Sequence, residues 1–372
     1  MASRMASRIR RIVLCGDVLR PGTDEEGRWF ARLVGATVGE AARVPVERLG
    51  PGEGFDTLRA YDLWGVEPSP RGWSAIADAG IAPSGVLALF AAAGDGAVVL
   101  GFGMAEVAKR ILSRLGIPFL DFAVHPVRFL DDAFLAAQTN DPGVFAAMLP
   151  HHAEAGRFRA ASGLVAAARG AAPPALPSDA LLLGQRADDP ALLRNGAHAD
   201  FADFPAAVRA AAGPHGAVAF RPHPAGNGDF GLLAAGVPAT AIRLLRGDPY
   251  ALLASGAVRR VVGLSSPQLT AAPYFGVEAT RLLPDPFDLA DRVADAEPGQ
   301  HLSIVDGIVE VDFWRDALAP LLPVTAPDGV RWRRPPNSLR TALRQIRPWV
   351  SATTPWSDAS EAFRGDPAEA EA

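Results

Sequence analysis

The stretch Phe220-Arg221-Pro222-His223-Pro224 takes its meaning from the two clusters on either side of it. Upstream stands Leu183-Gly184-Gln185-Arg186-Ala187-Asp188-Asp189, and downstream Val262-Gly263-Leu264-Ser265-Ser266. Each cluster closes a short apolar run, and the three runs, 180–183, 217–220 and 258–264, have the length and composition of buried strands. Parallel strands of an α/β sheet present their C-terminal ends along one rim, where ligands bind. Three such ends carrying polar groups therefore predict a site.

Working outward, the α/β alternation runs through the second half of the chain. Helices are expected at 204–212, 248–255 and 267–275, and strands at 239–244 and 279–283. The first half carries its own unit. A strand at Ile12–Cys15 ends in Gly16-Asp17, and a second at Ala97–Leu100 ends in Gly101-Phe102-Gly103. An amphipathic helix at Met104–Leu115 is stopped by Gly116, and a third strand follows at Ile117–Phe122. A further helix is expected at Ser74–Gly80. The Pro/Ala/Gly-rich segment 169–178 is the best linker. The expected organisation is thus an α/β domain at 8–168, the linker 169–178, a second α/β domain at 179–330, a basic segment at 331–350 and a disordered tail at 351–372. The ligand is expected in the cleft between the two domains.

Composition narrows the function. The chain has 372 residues, 49% hydrophobic and 21% charged, which suits a globular protein of two domains. Its net charge of −5 argues against a general nucleic-acid binder. One cysteine, Cys15, excludes an internal disulfide and argues against a cysteine-rich zinc site. No apolar run is long enough for a secretory signal or a membrane span, so a cytoplasmic location is expected. Between Arg331 and Arg347 lie six arginines and no acid, with Leu339, Leu343 and Ile346 at helical spacing. Such a helix could touch the anionic inner membrane peripherally. The commoner arrangement packs it back over the first domain with its arginines in solvent, and that is the expectation here.

His223 sits between two prolines, which fix the direction of its imidazole for donation to a phosphate or for acid catalysis. A histidine in a surface turn is the competing explanation. Ser265 and Ser266 precede Pro267 at a helix start, where one serine is expected to cap the helix and an anion could rest on its N-terminus. Asp188 and Asp189 can act as base or nucleophile, or simply cap the turn at Pro190. Asp285 and Asp288 read as turn and cap residues. Gly16-Asp17 and Asp24-Glu25-Glu26-Gly27 read as loop acids after the first strand. His125-Pro126 lacks a serine pair downstream and reads as structural. There is no GxGxxG, P-loop, HExxH or CxxC, so no dinucleotide fingerprint and no metal are expected.

The order Gln-x-x-x-Asp, Arg-Pro-His-Pro, Ser-Ser resembles that of bacterial capsule and lipopolysaccharide β-Kdo glycosyltransferases. A His-Pro pair followed by a serine pair is similar to that of bacterial sialyltransferases and polysialyltransferases of the GT-B type. The resemblance covers about residues 180–286. It implies a GT-B fold of two Rossmann-like domains and transfer of a 2-keto acid sugar from a CMP-sugar donor. The acceptor would be a surface polysaccharide or glycolipid, and no cofactor or metal would be needed. On that resemblance His223 would bind the CMP phosphate and favour its departure, with Gln185, Asp188, Arg221, Ser265 and Ser266 holding the donor. Asp189 would be the nucleophile or the close partner of the anomeric carbon. In the inverting relatives an acidic-acidic-Gly motif supplies the base, which Glu25-Glu26-Gly27 fits through Glu26. The chain departs from the capsule enzymes at Pro273–Glu278, where they carry Gly-Phe-Glu-Ala-Leu. Two alternatives stay open: another GT-B-like enzyme, such as a nucleotide-sugar epimerase or a polysaccharide pyruvyl transferase, and a non-catalytic nucleotide-binding partner in polysaccharide assembly.

Overall fold

The computed structural model describes residues 9–22, 24–77, 79–168, 176–194, 196–213, 215–226, 230–304, 307–327 and 337–347. In chain order the first part runs β1 (Arg11–Cys15), α1 (Glu25–Ala41), β2 (Val46–Pro51), β3 (Gly54–Phe55), α2 (Thr57–Trp64), α3 (Pro70–Ala77), α4 (Ser84–Ala93), β4 (Ala97–Phe102), α5 (Glu106–Leu115), β5 (Phe119–Val124), β6 (Leu135–Thr139), α6 (Pro142–Met148) and α7 (Ala155–Ala167). The second part runs β7 (Ala180–Leu183), β8 (Leu193–Arg194), β9 (Ala197–His198), α8 (Pro205–Ala211), β10 (Val218–Arg221), β11 (Ile242–Leu244), α9 (Pro249–Leu253), β12 (Arg260–Gly263), α10 (Pro267–Ala271) and β13 (Glu278–Arg281). The chain then adds β14 (Leu302–Ile304), α11 (Val311–Leu318) and α12 (Ser338–Leu343).

Two sheets organise this mixed α/β protein. The first has the order β14-β6-β5-β4-β1-β2-β3, parallel except for β6, which is antiparallel to both its neighbours, β5 and β14. The second has the order β11-β10-β7-β12-β13 and is parallel throughout. Strands buried on both faces need continuous apolar sequence, and β4 and β7 are buried at every position. In each sheet the strand order reverses beside a central strand, β1 in the first and β7 in the second. Ligand crevices of α/β sheets open beyond the strand ends at such reversals.

The helices follow local chemistry. α5 ends where Gly116 adopts the left-handed conformation (φ 66°) and returns its N–H to the Leu112 and Ser113 carbonyls. α1 opens on Asp24, whose carboxylate accepts from the Gly27 N–H at 3.1 Å, with Glu25 and Glu26 favourable at the positive end of the helix. The acids expected in a loop after the first strand are therefore a helix cap and a first helical turn. The helix expected at Ser74–Gly80 begins earlier, at Pro70.

Packing redraws the expected division of the chain. Helix α7 and the segment 127–134 join the core of the second sheet through Phe129, Phe134 and Phe158, although both precede residue 169. Conversely β14 pairs with β6, and α11 buries Phe313 and Trp314 in the core of the first sheet, although both fall within 179–330. Sequence-local boundaries miss this because the apolar faces choose partners across the chain. Most of the linker, 169–175, and the tail, 351–372, lie outside the described residues.

The basic segment behaves partly as expected. Residues 331–336 lie outside the described residues. α12 packs Leu339 and Leu343 into the first core, and Asp132 accepts from the Leu339 and Arg340 N–H groups at 3.0 and 2.7 Å. Trp29 Nε1 donates to the Ala342 carbonyl at 2.9 Å. Arg344 is exposed, but Arg340 is not: it is 2% exposed and donates to the Leu130 and Arg128 carbonyls. No helix among the described residues is long and apolar enough to cross a membrane.

Candidate functional site

The ends of β7, β10 and β12 are neighbours, so Gln185, His223 and Ser265 come from adjacent strands. Gln185 is the hub. Its Nε2 donates to Ser265 Oγ at 3.1 Å and to Asp189 Oδ2 at 3.3 Å, while its Oε1 accepts from the Ser265 N–H at 2.8 Å. Gly184 precedes it because a Cβ there would lie 2.9 Å from the Phe220 ring. Asp189 also caps the turn at 190–192, accepting from the Ala191 N–H at 3.0 Å. Asp189 is thus the expected cap, and it caps the turn while in contact with Gln185.

The two serines differ from expectation. Both are buried, and neither side chain caps α10. Ser265 Oγ donates to the Ala191 carbonyl at 3.0 Å, and Ser266 Oγ is bonded to Gln268 Oε1. Ser265 therefore ties β12 to the Gln185 loop. α10 spans only five residues and runs on into a tighter turn at 272–275.

His223 is held by its own turn. Its Nδ1 accepts from the Ala225 N–H at 3.0 Å, which leaves the proton of the neutral ring on Nε2. Burial pushes its pKa down to about 4, helped by Arg221, Arg128 and Arg186 and opposed by Asp189. Near neutral pH it is thus an uncharged donor, and an anion beside it would raise its pKa. Arg221 closes β10, and its Nε and Nη2 donate to the Gly247 carbonyl at 3.3 and 3.1 Å. Burial lowers its pKa.

Asp188 sits at the edge of this group. It pairs with Arg186 at 2.8 and 2.5 Å, a bond that holds its carboxyl below the usual range. It also lies 3.8 Å from Arg20 of the first sheet's side. Glu26 comes from the first half of the chain, and its charge acts on Arg186 as that of Asp189 does. It lies in the first turn of α1, ion-paired with Arg347 at 2.9 Å. Asp285 behaves as the expected turn residue, accepting from the Phe287 N–H, and also pairs with Arg281.

Two residues outweigh their sequence signal. Asp17, beyond β1, accepts from Trp73 Nε1 at 2.8 Å and from the Leu19 N–H at 3.0 Å. Burial pushes its pKa up to about 6, and Arg20 lies 5.2 Å over the Trp73 ring beside it. A lone Gly-Asp at a strand end was its only signal. Arg128 follows the His125-Pro126 pair, and its charge acts on both His223 and Asp189. His125 itself is structural as expected: it is buried, 3.0 Å from Ser303 Oγ and stacked on Phe158. Among the described residues no group of three or more His, Cys, Asp or Glu side chains could hold a metal.

No family model matches the chain, and no curated protein matches it. Among solved structures, the KpsC β-Kdo 2,7-transferase of Thermosulfurimonas dismutans is similar over 84% of this chain and 90% of its own, at 11% sequence identity and a TM-score of 0.37.

Proposed function

We propose that the chain is a glycosyltransferase that moves an acidic 2-keto sugar, of the Kdo or sialic acid type, from a CMP-activated donor to a polysaccharide or glycolipid acceptor. The two sheet-based parts would face each other in the GT-B manner. The observation that carries this reading is the convergence of Gln185, Asp189, His223 and Ser265 at three adjacent parallel strand ends, beside Arg221. Departure of CMP builds negative charge on the phosphate. A preorganised Nε2–H on His223 and the Arg221 guanidinium would stabilise that charge, the kind of contribution that is usually largest in such reactions. Asp189, held from one side by Gln185, would lie against the anomeric carbon as nucleophile or as stabiliser of the developing cation.

The test is CMP release by the purified chain, read by chromatography, with CMP-Kdo made in situ and with CMP-sialic acid. UDP-glucose and GDP-mannose serve as controls. Turnover of a CMP-sugar alone is expected. Release of UDP or GDP instead would overturn the donor assignment, and no release from any donor would favour a non-catalytic nucleotide-binding role.

A further inference from the structure

The segment that follows Asp189 is anchored to both halves of the chain. Asp189 caps the turn at 190–192, and the backbone then runs extended into β8. Successive side chains of an extended segment point to opposite sides. Leu192 accordingly lies in the second part's core cluster with Phe201 and Phe220, while Leu193 packs against the first part's cluster that holds Trp73 and Ile76. Beyond it β9 packs on α3. Gly196, between β8 and β9, has a positive φ of 76°, and a Cβ there would lie 4.0 Å from the Ala75 Cα of that helix.

The residue before Asp189 is tied in the same direction. Asp188 takes Arg186 of its own loop at 2.8 and 2.5 Å and faces Arg20, from beyond β1, at 3.8 Å. Arg20 is itself seated. Its guanidinium lies 5.2 Å over the Trp73 ring, and Trp73 Nε1 is fixed by its bond of 2.8 Å to Asp17. On the other side the turn is held to the second sheet, because Ser265 Oγ donates to the Ala191 carbonyl at 3.0 Å and Gln185 Nε2 donates to Asp189. Residues 188–193 thus form a strap with one edge on each half of the chain. An ion pair as open to solvent as Arg20–Asp188 contributes little alone, and burial of the Leu193 side chain adds to it.

We propose that Arg20 and Leu193 are positioning residues for Asp189, holding the 188–193 strap from the first half of the chain so that the carboxylate is presented where the two halves meet. Asp188, engaged by two arginines, is in this arrangement the tether of the strap. That Asp189 then acts at an anomeric carbon rests on the function proposed above; the strap does not.

The test compares the full chain with its Arg20→Ala, Arg20→Lys and Leu193→Ala variants and the double alanine variant, by amide hydrogen exchange and by CMP-sugar kinetics. Exchange needs no activity. In residues 186–193 it is expected to rise about twofold in Arg20→Ala and at least about fivefold in the double variant, with β4 and β12 unchanged. No rise in 186–193, or an equal rise in all three regions, overturns the strap. With a donor that the wild type turns over, the double variant should lose at least about tenfold in kcat while KM stays within about threefold, and Arg20→Lys should recover most of what Arg20→Ala loses. A raised KM with unchanged kcat overturns the positioning role and makes Arg20 and Asp188 donor ligands. If the wild type turns over no donor while exchange rises as expected, the strap stands and the proposed function falls. Wild-type turnover with unchanged exchange and kcat in the variants overturns the strap alone. Should the double variant not fold, Arg20→Ala decides, because Arg20 is exposed and its removal opens no core: a rise confined to 186–193 supports the strap, and none overturns it.

Discussion

Replacing Gln185 by alanine tests the joint on which the candidate site is assembled. The side chain supplies three hydrogen bonds that connect β7, β12 and Asp189. Alanine removes all three and strands the Ser265 N–H in a place where Ser265 is 3% exposed. A buried, unpaired N–H costs about 1–3 kcal/mol. The lost packing of the side-chain stem adds about 1–1.5 kcal/mol. The expected loss is therefore about 3 kcal/mol, or roughly 6–12 °C in melting temperature for a cooperative unit of ordinary size. Urea unfolding followed by far-UV circular dichroism measures it. Gln185→Glu sharpens the test, because it keeps the shape but puts a second carboxylate beside Asp189. Burial and the neighbouring charge raise the pKa of the new group, so the variant is closest to wild type in acid, where the protonated acid can still donate. It should weaken relative to wild type as pH rises from about 4 to 8. An alanine variant within about 0.5 kcal/mol of wild type would refute the hub, and so would a glutamate variant whose difference from wild type ignores pH.

His223→Ala should cut CMP release by at least ~10²-fold with the circular dichroism spectrum unchanged, and normal turnover would sink the site. In wild type, the His223 ring proton followed by NMR should titrate near pH 4 without ligand and higher with phosphate bound; an ordinary value without ligand would contradict the burial argument. His125, pushed down from 6.5 to about 3 by burial, contributes stability that is complete above pH 6.5 and lost as pH falls towards 3. His125→Phe should flatten that acid slope in urea midpoints, and an unaltered slope would count against it. Asp17, pushed up from 3.8 to about 6, has the opposite sign, so its contribution is lost as pH rises through that window. Because Trp73 donates to it, indole fluorescence should show a transition near pH 6 that Asp17→Asn abolishes; a transition that survives in the variant would assign it elsewhere.

Particular residues show where sequence reasoning stopped. The strand ends were legible because a parallel strand announces itself locally, as an apolar run broken by a polar turn: 180–183 matches β7, and 217–220 matches β10 within one residue. Gly116 marked the end of α5 for an equally local reason, its positive φ. α1 was missed although Asp24-Glu25-Glu26 is a good helix start, because the same acids also suit a loop and Gly27 follows them. Position alone points to one of the two serines as a helix cap. What occupies them instead, Ala191, Gln185 and Gln268, depends on which turns lie alongside.

By itself the amino-acid sequence determined the α/β class, the strand and helix alternation, the helix ends and the three polar clusters that close β7, β10 and β12. Backbone hydrogen bonding and side-chain periodicity act over a few residues, so they can be read from a few residues. Only the tertiary structure decided that Glu26 is held by Arg347, 321 positions away, and that Arg340 is buried. It also set β14 on the first sheet and α7 on the second, and brought the charge of Arg128 to bear on His223. Charge pairing and apolar burial are indifferent to sequence separation. Which partner each side chain meets, and whether a carboxylate remains available as a base, follows from the packed chain as a whole.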